Sequence, residues 1–379
     1  MKFRLMTPGP TPVPEETLLE LAKPMVYHRT AEFREVLGEV IADMRKVYMT
    51  ESNVVLPLTA SGTGALEASL VNSVPAGKKA ICCVAGKFGE RWTNIAKAYG
   101  IEPIVISVPW GQAVQPEQIE KALKDHPDTV AVCTTLSETS TGIGHDVQAF
   151  GKIVAGTPAI LLVDAVSGLG AMEFRQDAWQ VDICATGSQK ALMMPPGLAF
   201  VSVSAKAWKT IEANPNPRTF YFDLKKARKS IEGNDTPFTP AHTLIKAMRL
   251  SLKRIVNEGM ENIFTRQDKY ARAARAGFQA LGLEIFPTQP NTALTVVKSP
   301  NGVDSTQVLS KLEKKYGLKL ANGQDALKGK ILRMTHMGYI DQFDILAGIA
   351  GTELVLAEMG VKAEVGAGVA AAQRVFAGK

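Results

Sequence analysis

The sequence predicts an α/β protein in which a mostly parallel central sheet is sandwiched by helices and a smaller α+β domain follows toward the C-terminus. Strand-like and helical patterns alternate between residues 53 and 205, the order that a parallel sheet with helical crossovers requires. The strand-like runs there are apolar almost throughout, as expected for strands buried on both faces. After Pro215 the alternation stops and a polar, basic and turn-rich stretch begins.

A proline-rich arm and two helices come first. Residues 7–14 contain four prolines, which exclude both a helix and a central strand. A short helix then starts at Pro14, has acidic residues in its first turn, and is ended by Pro24. In the next helix the apolar side chains recur at helical spacing and predict a buried face: Phe33, Val36, Leu37, Val40, Ile41 and Met44.

The central sheet is predicted from a series of apolar runs. They span residues 54–58, 80–85, 103–108, 129–134, 159–164, 181–186 and 198–203. Helical patterns over residues 90–99 and 116–124 lie between some of these runs, and another helix follows the first strand near Gly62.

The C-terminal part has a different pattern. A long helix from near residue 241 to 281 leads into shorter elements. The predicted strands are residues 283–286, 293–297 and 330–334, and the predicted helices are residues 305–315 and 342–359. We therefore predict an N-terminal arm over residues 1–20, a large domain over 21–255 and a small domain over 256–379.

Composition excludes several classes of protein. The chain is 46% hydrophobic and 21% charged, which is ordinary for a soluble globular protein. The net charge of +6 is spread along the chain, and the one dense basic run, residues 225–229, lacks interleaved aromatic residues, so we predict no nucleic-acid partner. The N-terminus shows no secretory leader and no stretch is long enough to span a bilayer, so we expect no membrane association.

The four cysteines all fall inside apolar runs: Cys82, Cys83, Cys133 and Cys184. They show no C-x-x-C spacing and no nearby histidines, so we predict buried, reduced thiols and no metal site. With neither a leader nor a membrane-spanning stretch predicted, we expect a cytoplasmic location by default.

Three features point to one cofactor. Lys190 follows an apolar run, Asp164 ends another, and Gly62 and Gly64 lie where a strand gives way to a helix. Taken singly, these are typical of a surface lysine, a capping carboxylate and a tight connection. The carboxyl ends of parallel strands form one ligand-binding edge. Together the features are explained by pyridoxal 5'-phosphate, with the lysine as the amine of a Schiff base, the carboxylate on the ring nitrogen and helix N–H groups on the phosphate.

The sequence resembles the class V aminotransferases of the alanine–glyoxylate, serine–glyoxylate and serine–pyruvate type, on the fold type I scaffold of pyridoxal phosphate enzymes. The matching segments occur in family order along the whole chain: residues 8–10, 61–68, 86–91, 138–142, 163–167, 187–192, 195–197 and 332–334. Each is weak alone, and the ordered set is specific.

The resemblance implies how the cofactor is held. Lys190 links to it and, once released, moves a proton between substrate and cofactor, while Asp164 keeps the ring nitrogen protonated. Phe88 stacks on one ring face, where some relatives have tryptophan, and Val166 packs on the other. Further cofactor contacts are implied for small and polar residues: Ser61, Gly62, Thr63, Thr139 and Gln189.

The resemblance also implies a substrate site and a homodimer whose active sites are completed by the partner chain. Arg333 holds the substrate carboxylate, Gly9 lets the arm approach the substrate, and Thr239 supplies a hydroxyl to the partner's phosphate. Residues 27–29, Tyr-His-Arg, either line the partner's pocket or mark a helix break. His336 is predicted to be structural, because Lys190 already supplies an acid and base.

The implied reaction is transfer of the amino group of alanine or serine to glyoxylate or pyruvate by a ping-pong mechanism. Phosphoserine aminotransferase and cysteine desulfurase are alternatives within the scaffold. The desulfurases typically have histidine where Gln189 precedes Lys190, and they need a mobile cysteine. A non-catalytic subunit of a larger complex is the alternative from a different class, since some relatives carry a hydrogenase-subunit name.

Overall fold

In a computed structural model of the protein, which describes residues 2–378, helices cover both faces of a central sheet. The helices, in chain order, are α1 (Glu15–Leu21), α2 (Ala31–Tyr48), α3 (Gly62–Ser73), α4 (Lys87–Ala98), α5 (Pro116–Asp125), α6 (Val147–Ala155), α7 (Ala205–Ala213), α8 (Leu224–Ile231), α9 (His242–Glu258), α10 (Met260–Ala280), α11 (Ser305–Tyr316), α12 (Gln342–Glu358) and α13 (Ala367–Phe376), with a 3-10 turn at Asp325–Leu327.

The strands are β1 (Arg4–Leu5), β2 (Val54–Leu58), β3 (Lys79–Val84), β4 (Glu102–Ser107), β5 (Thr129–Thr135), β6 (Ser137–Glu138), β7 (Ile143–Gly144), β8 (Ile160–Asp164), β9 (Ile183–Gly187), β10 (Ala199–Val203), β11 (Leu294–Lys298), β12 (Leu318–Lys319), β13 (Ala321–Asn322) and β14 (Ile331–Thr335).

The central sheet has seven strands in the order β2-β10-β9-β8-β5-β3-β4. Only β10 runs antiparallel to its neighbours, so the predicted mostly parallel sheet is confirmed. Alternate side chains of one strand enter different cores: Leu161 and Val163 of β8 face one, and Ile160 and Leu162 face the other. Burial on both faces explains why these strands are apolar throughout.

A second, three-stranded antiparallel sheet, β11-β14-β13, lies in the C-terminal part of the chain. Its hydrophobic core includes residues of α10, α11, α12 and α13. Met6 of the N-terminal arm belongs to the same core, and β1 pairs with β12. The arm is therefore anchored on the core of the C-terminal part before the chain enters the central sheet. The division at residues 20 and 255 stays a prediction.

Some predicted elements are wrong. The single helix expected over residues 241–281 is two helices, because Gly259 adopts a φ of 82° and ends α9 before α10 begins. The strand expected over residues 283–286 is only an isolated bridge between Ile285 and Val297. Conversely, α8 forms within the stretch expected to be turn-rich, because Asp223 caps its first turn and Leu224 is buried.

The interpretation of α2 is confirmed: its six predicted apolar positions are all buried. Thr30 accepts a hydrogen bond from the Phe33 amide at its start, as an N-cap residue should. Within residues 2–378, no helix is both long and apolar enough to cross a membrane.

Candidate active site

Lys190 lies in a closed loop directly after β9. The Ser188 hydroxyl donates to the Pro195 carbonyl (2.6 Å) and accepts from the Leu198 amide (3.3 Å), and the Ser188 amide donates to the Leu198 carbonyl (2.8 Å). These bonds tie both ends of the loop together. Lys190 therefore stands on a backbone whose conformation is set, at the strand end where we expected it.

The N-terminal arm covers Lys190. The Thr11 hydroxyl donates to the Lys190 carbonyl (2.7 Å), and the Thr11 amide donates to the Gln189 carbonyl (3.1 Å). The Lys190 Nζ donates to the carbonyl oxygen of Pro8. A Cβ atom on Gly9 would lie 2.5 Å from both Cδ and Cε of Lys190. Only glycine leaves room for the amine there.

The amine of Lys190 is less basic than usual. Burial lowers its pKa to about 8; the charge of Asp164 opposes the shift, and Arg333 and Arg91 add to it. A much larger fraction of Lys190 is thus uncharged at neutral pH than of an ordinary lysine, and only an uncharged amine can attack a carbonyl.

Asp164 ends β8 on the adjacent strand, in register with Ala185 of β9. Its Oδ1 accepts from the Val166 amide (2.9 Å), and the residue is 4% exposed. Burial raises the pKa of Asp164 to about 6, while the Val166 amide and the charges of Arg91 and Lys190 act in the opposite direction. A buried carboxylate at this strand end is suited to hold a protonated ring nitrogen.

An anion cradle forms at the start of α3. Ser61 precedes the helix without capping it through its side chain, so the first helical N–H groups, on Gly62 and Thr63, are available to a ligand. A Cβ on Gly187 would lie 3.3 Å from the Gly62 amide and 2.9 Å from the Gln189 Oε1.

The Gln189 side chain gives a test of whether a phosphate fits there. Its Oε1 is buried and has no hydrogen-bond partner in the described chain, so the amide is free to turn its NH2 group toward an anion. Val166 packs against the same helix start, since a Cβ on Gly62 would lie 2.5 Å from the Val166 Cγ2. The residues present therefore fit a phosphate group.

Phe88 and Thr139 lie on neighbouring segments. Phe88 is in the first turn of α4, and the Arg91 guanidinium stands 5.0 Å from the centre of its ring. Thr139 is buried after β6, and its hydroxyl lies 2.5 Å from that of Ser167. Ser167 lies three residues after Asp164, so this contact links Thr139 to the C-terminal end of β8.

Arg333 reaches from the small sheet to the turn that follows β6. From β14, its Nε donates to the Asn322 carbonyl (2.8 Å) and its Nη1 to the Thr139 carbonyl (2.9 Å). The residue is 7% exposed, and burial lowers its pKa to about 10, an effect that the charge of Glu138 opposes. No described carboxylate forms a salt bridge with it, so a buried cation is left with unused donors.

Thr239 does not join this cluster within one chain. It is exposed, in a surface loop over Thr59 and Tyr221. Arg29 holds this loop through Asp235 (2.5 Å) and the Thr236 carbonyl (3.1 Å).

The two histidines singled out in the sequence, His336 and His28, have different surroundings. His336 is buried, with Nε2 2.8 Å from the Thr295 hydroxyl and Nδ1 3.0 Å from the Thr292 carbonyl. Both ring nitrogens are engaged, which supports a structural role for His336. His28 packs edge-on against Tyr27, which is 66% exposed.

Sequence reasoning missed two residues. Glu138 is a fully buried carboxylate beside Thr139, and Arg91 contributes positive charge near Asp164 and Lys190. Both lie in segments that carried the family resemblance. The signal for Glu138 was an acidic residue closely following an apolar strand.

A lysine, a carboxylate and an anion cradle lie at one edge of the parallel sheet, and the charge of Arg333, on the small sheet, acts on the lysine amine. This combination of groups is that of a pyridoxal phosphate enzyme of fold type I. Bound there, the cofactor supplies an electron-withdrawing ring that accepts negative charge from the substrate Cα. The family model described as "Aminotransferase class-V" matches residues 11–340, and the chain belongs to that family.

The relatives that are similar along nearly their whole length carry different names. The chain is 43% identical to the "Soluble hydrogenase, small subunit" of Synechococcus sp. (strain PCC 6716), over 99% of this chain and 98% of that one. It is 35% identical to the L-aspartate–glyoxylate aminotransferase of Paracoccus denitrificans (98% and 96% covered) and 33% identical to the serine–glyoxylate aminotransferase of Methylorubrum extorquens (97% and 94% covered). Among solved structures, ureidoglycine–glyoxylate aminotransferase from Bacillus subtilis superposes with a TM-score of 0.93 at 28% identity, covering 100% and 99% of the two chains.

Proposed function

We propose that the protein moves the amino group of a small L-amino acid, alanine or serine, to glyoxylate or pyruvate by a ping-pong mechanism. The observation that carries this proposal is Arg333, a buried guanidinium with unused donors whose charge is felt at the Lys190 amine. Both substrates of such a reaction carry a carboxylate, and a guanidinium binds carboxylates through two parallel hydrogen bonds. Three glyoxylate-using enzymes among the similar proteins support glyoxylate as the acceptor.

The residues take different parts in this reaction. Arg333 binds the carboxylate and so orients the substrate Cα toward Lys190. Lys190, with its lowered pKa, would take the proton from the substrate Cα and, as the conjugate acid, give it to the C4′ atom of the cofactor. Asp164 holds a proton at the ring nitrogen. The arm at Pro8 and Gly9 covers the amine and limits the access of water.

Spectrally monitored half-reactions test the substrates. The protein with bound cofactor is mixed with alanine, serine or aspartate, and loss of its visible band reports amino transfer; the resulting form is then mixed with glyoxylate or pyruvate. We expect rapid bleaching by alanine or serine and recovery with glyoxylate. Bleaching by aspartate alone would overturn the proposed donor, and borohydride fixation of the cofactor to a residue other than Lys190 would overturn the site.

We also propose a homodimer in which the Thr239 hydroxyl of one chain contacts the cofactor phosphate in the active site of the partner chain. The loop that carries Thr239 is bordered by exposed aromatic side chains, and Tyr221 stacks on Phe238 at 5.4 Å between ring centres. Phe220 is 73% and Tyr221 45% exposed in the single chain. Exposed aromatic clusters of this kind favour burial against another protein surface.

A cytoplasmic location remains part of the proposal. All four cysteines are unpaired and buried, as expected in a reducing compartment. The same burial argues against a cysteine desulfurase, since none of these thiols can reach a substrate.

A role as a subunit of a larger complex is the second candidate, because two relatives with more than 40% identity are named as soluble hydrogenase subunits. The half-reaction experiment separates the two candidates. Protein that binds the cofactor at Lys190 and bleaches with none of the amino acids would favour the subunit role.

A further inference from the structure

Glu138 is a carboxylate with no exposed surface that accepts hydrogen bonds from two segments at once. Its Oε2 accepts from the Phe88 amide (3.0 Å) and the Gly89 amide (2.8 Å) at the start of α4. Its Oε1 accepts from the amide (3.1 Å) and hydroxyl (2.5 Å) of Ser140. Because every partner is a donor, this arrangement suits the ionised carboxylate at a helix N-terminus.

The neighbouring glycine makes room for this carboxylate. A Cβ on Gly86 would lie 2.7 Å from the Glu138 Cδ and would also collide with the Ser140 hydroxyl. Gly86 precedes the first turn of α4, so the helix start and the Glu138 turn are in direct contact. This contact lets a side chain from β6 cap a helix 49 residues earlier in the chain.

The two segments that Glu138 contacts are linked to the residues expected to bind the cofactor and the substrate. The helix start carries Phe88, expected to stack on the cofactor ring. The turn carries Thr139, whose carbonyl accepts from Arg333. The negative charge of Glu138 also opposes the loss of basicity that burial imposes on Arg333.

We propose that Glu138 is a positioning residue that sets the place of Phe88 and of Arg333 together, and so couples the orientation of the cofactor to recognition of the substrate carboxylate. The effect on substrate rests on the proposed role of Arg333, whereas the effect on the cofactor does not. Glu138 has no exposed surface with which to contact a ligand, so it acts only through its hydrogen-bond partners.

The test compares Glu138→Gln with Glu353→Gln. Glu353 is also buried, at 2% exposure, and its carboxylate accepts from backbone amides at the start of another helix, those of Gly366 (3.2 Å) and Val369 (2.9 Å). It lies on α12 and caps α13, which carries no site residue. Glu353 therefore matches Glu138 in its burial and in capping a helix, but it contacts no segment of the candidate site.

In Glu138→Gln we expect borohydride still to fix the cofactor to Lys190. The visible circular dichroism of the bound cofactor should change, and the dissociation constant of the cofactor should rise. We expect KM to rise about tenfold for both the amino acid and the keto acid, since hydrogen bonds to a charged group are lost. The fall in kcat should be smaller. Glu353→Gln should lower only the melting temperature.

Unchanged circular dichroism and cofactor affinity in a folded Glu138→Gln protein would overturn the proposal, as would equal effects in the two variants. If Glu138→Gln does not fold, Ser140→Ala provides a second test. It removes the hydroxyl that donates to Glu138 and accepts from the Lys87 amide (3.0 Å) at the start of α4, and it leaves the charge of Glu138 in place. A smaller change in circular dichroism in the same direction is expected, and no change would overturn the proposal. If wild-type protein transfers no amino group, the proposed function fails, and the cofactor measurements still decide the role of Glu138.

Discussion

The chemistry of the site begins with the basicity of Lys190. We expect covalent capture of the cofactor by the cofactor-free protein to increase with pH around a midpoint of about 8, below the ordinary lysine value of 10.5. The sign follows from the lowered pKa, since the uncharged amine appears at lower pH. Borohydride trapping at a series of pH values, quantified by mass spectrometry, measures the midpoint.

The neighbouring charges provide controls for this measurement. Removing the negative charge in Asp164→Asn should move the midpoint to lower pH, and removing the positive charge in Arg333→Ala should move it to higher pH. A midpoint near that of an ordinary lysine in the wild type, or shifts of the opposite sign, would contradict this account.

Arg333 is the residue proposed to bind the carboxylate of both substrates. We expect Arg333→Lys to raise KM for the amino acid and the keto acid by about tenfold or more, because lysine keeps the charge and loses the two parallel bonds to a carboxylate. Steady-state kinetics with both substrates varied measures the change. Since both substrates carry the carboxylate, the two KM values should rise together.

Arg275 offers a matched control. It is also an arginine of lowered pKa, with burial as the chief cause, but it donates to the Pro290 and Asn291 carbonyls instead of facing the site. Arg275→Lys should lower the stability of the fold, because those hydrogen bonds are lost, and both KM values should stay unchanged. A KM rise for one substrate only, or equal rises in the two variants, would count against carboxylate binding by Arg333.

At the scale of elements, the arm acts as a cover whose fit depends on Gly9. We expect Gly9→Ala to weaken cofactor binding and lower kcat, because its Cβ would meet the Lys190 side chain and its φ of 126° disfavours any side chain. Displacement of catalytic groups by about 1 Å can cost on the order of 100-fold in rate. Cofactor titration and kcat measure the two effects.

Gly282→Ala is the control for backbone strain alone. Gly282 also has a positive φ, 77°, and a Cβ there would meet nothing within 4 Å. It should cost stability at a level of about 1–2 kcal/mol without altering cofactor binding. If both variants behave alike, the effect of Gly9 is one of strain and not of contact with Lys190.

The helices and strands also show which features local sequence patterns predict and which they do not. The apolar strands and α2 follow from local periodicity, and they agree with the structure within a few residues. Helix α4 starts at Lys87, three residues before the predicted start at residue 90, because Glu138 caps it from a distant segment. A cap of that kind leaves no local pattern, so only the folded chain reveals it.

At the scale of the whole molecule, the proposed dimer predicts complementation. Lys190→Ala and Thr239→Asp should each impair the homodimer, the first by removing the amine and the second by placing a negative charge beside the partner's phosphate. Mixed dimers then contain one site with both changes and one intact site. Co-expression should restore about a quarter of wild-type activity, since about half of the dimers are mixed.

Sedimentation of each variant must show the same oligomeric state for this comparison to hold. If each chain completes its own site, mixing restores nothing beyond the sum of the two variants. That result, or a monomeric wild type, would contradict the proposed contribution of Thr239 to the partner.

The sequence by itself determined the fold class, the cofactor and the positions of Lys190 and Asp164, because a strand followed by a loop is a local pattern and adjacent parallel strands share one edge. Only the tertiary structure decided what surrounds them. The bond from Lys190 to Pro8 joins residues 182 apart in the chain, and that from Arg333 to Thr139 joins residues 194 apart. Such contacts arise from the packing of whole elements, and periodicity along the chain carries no record of them.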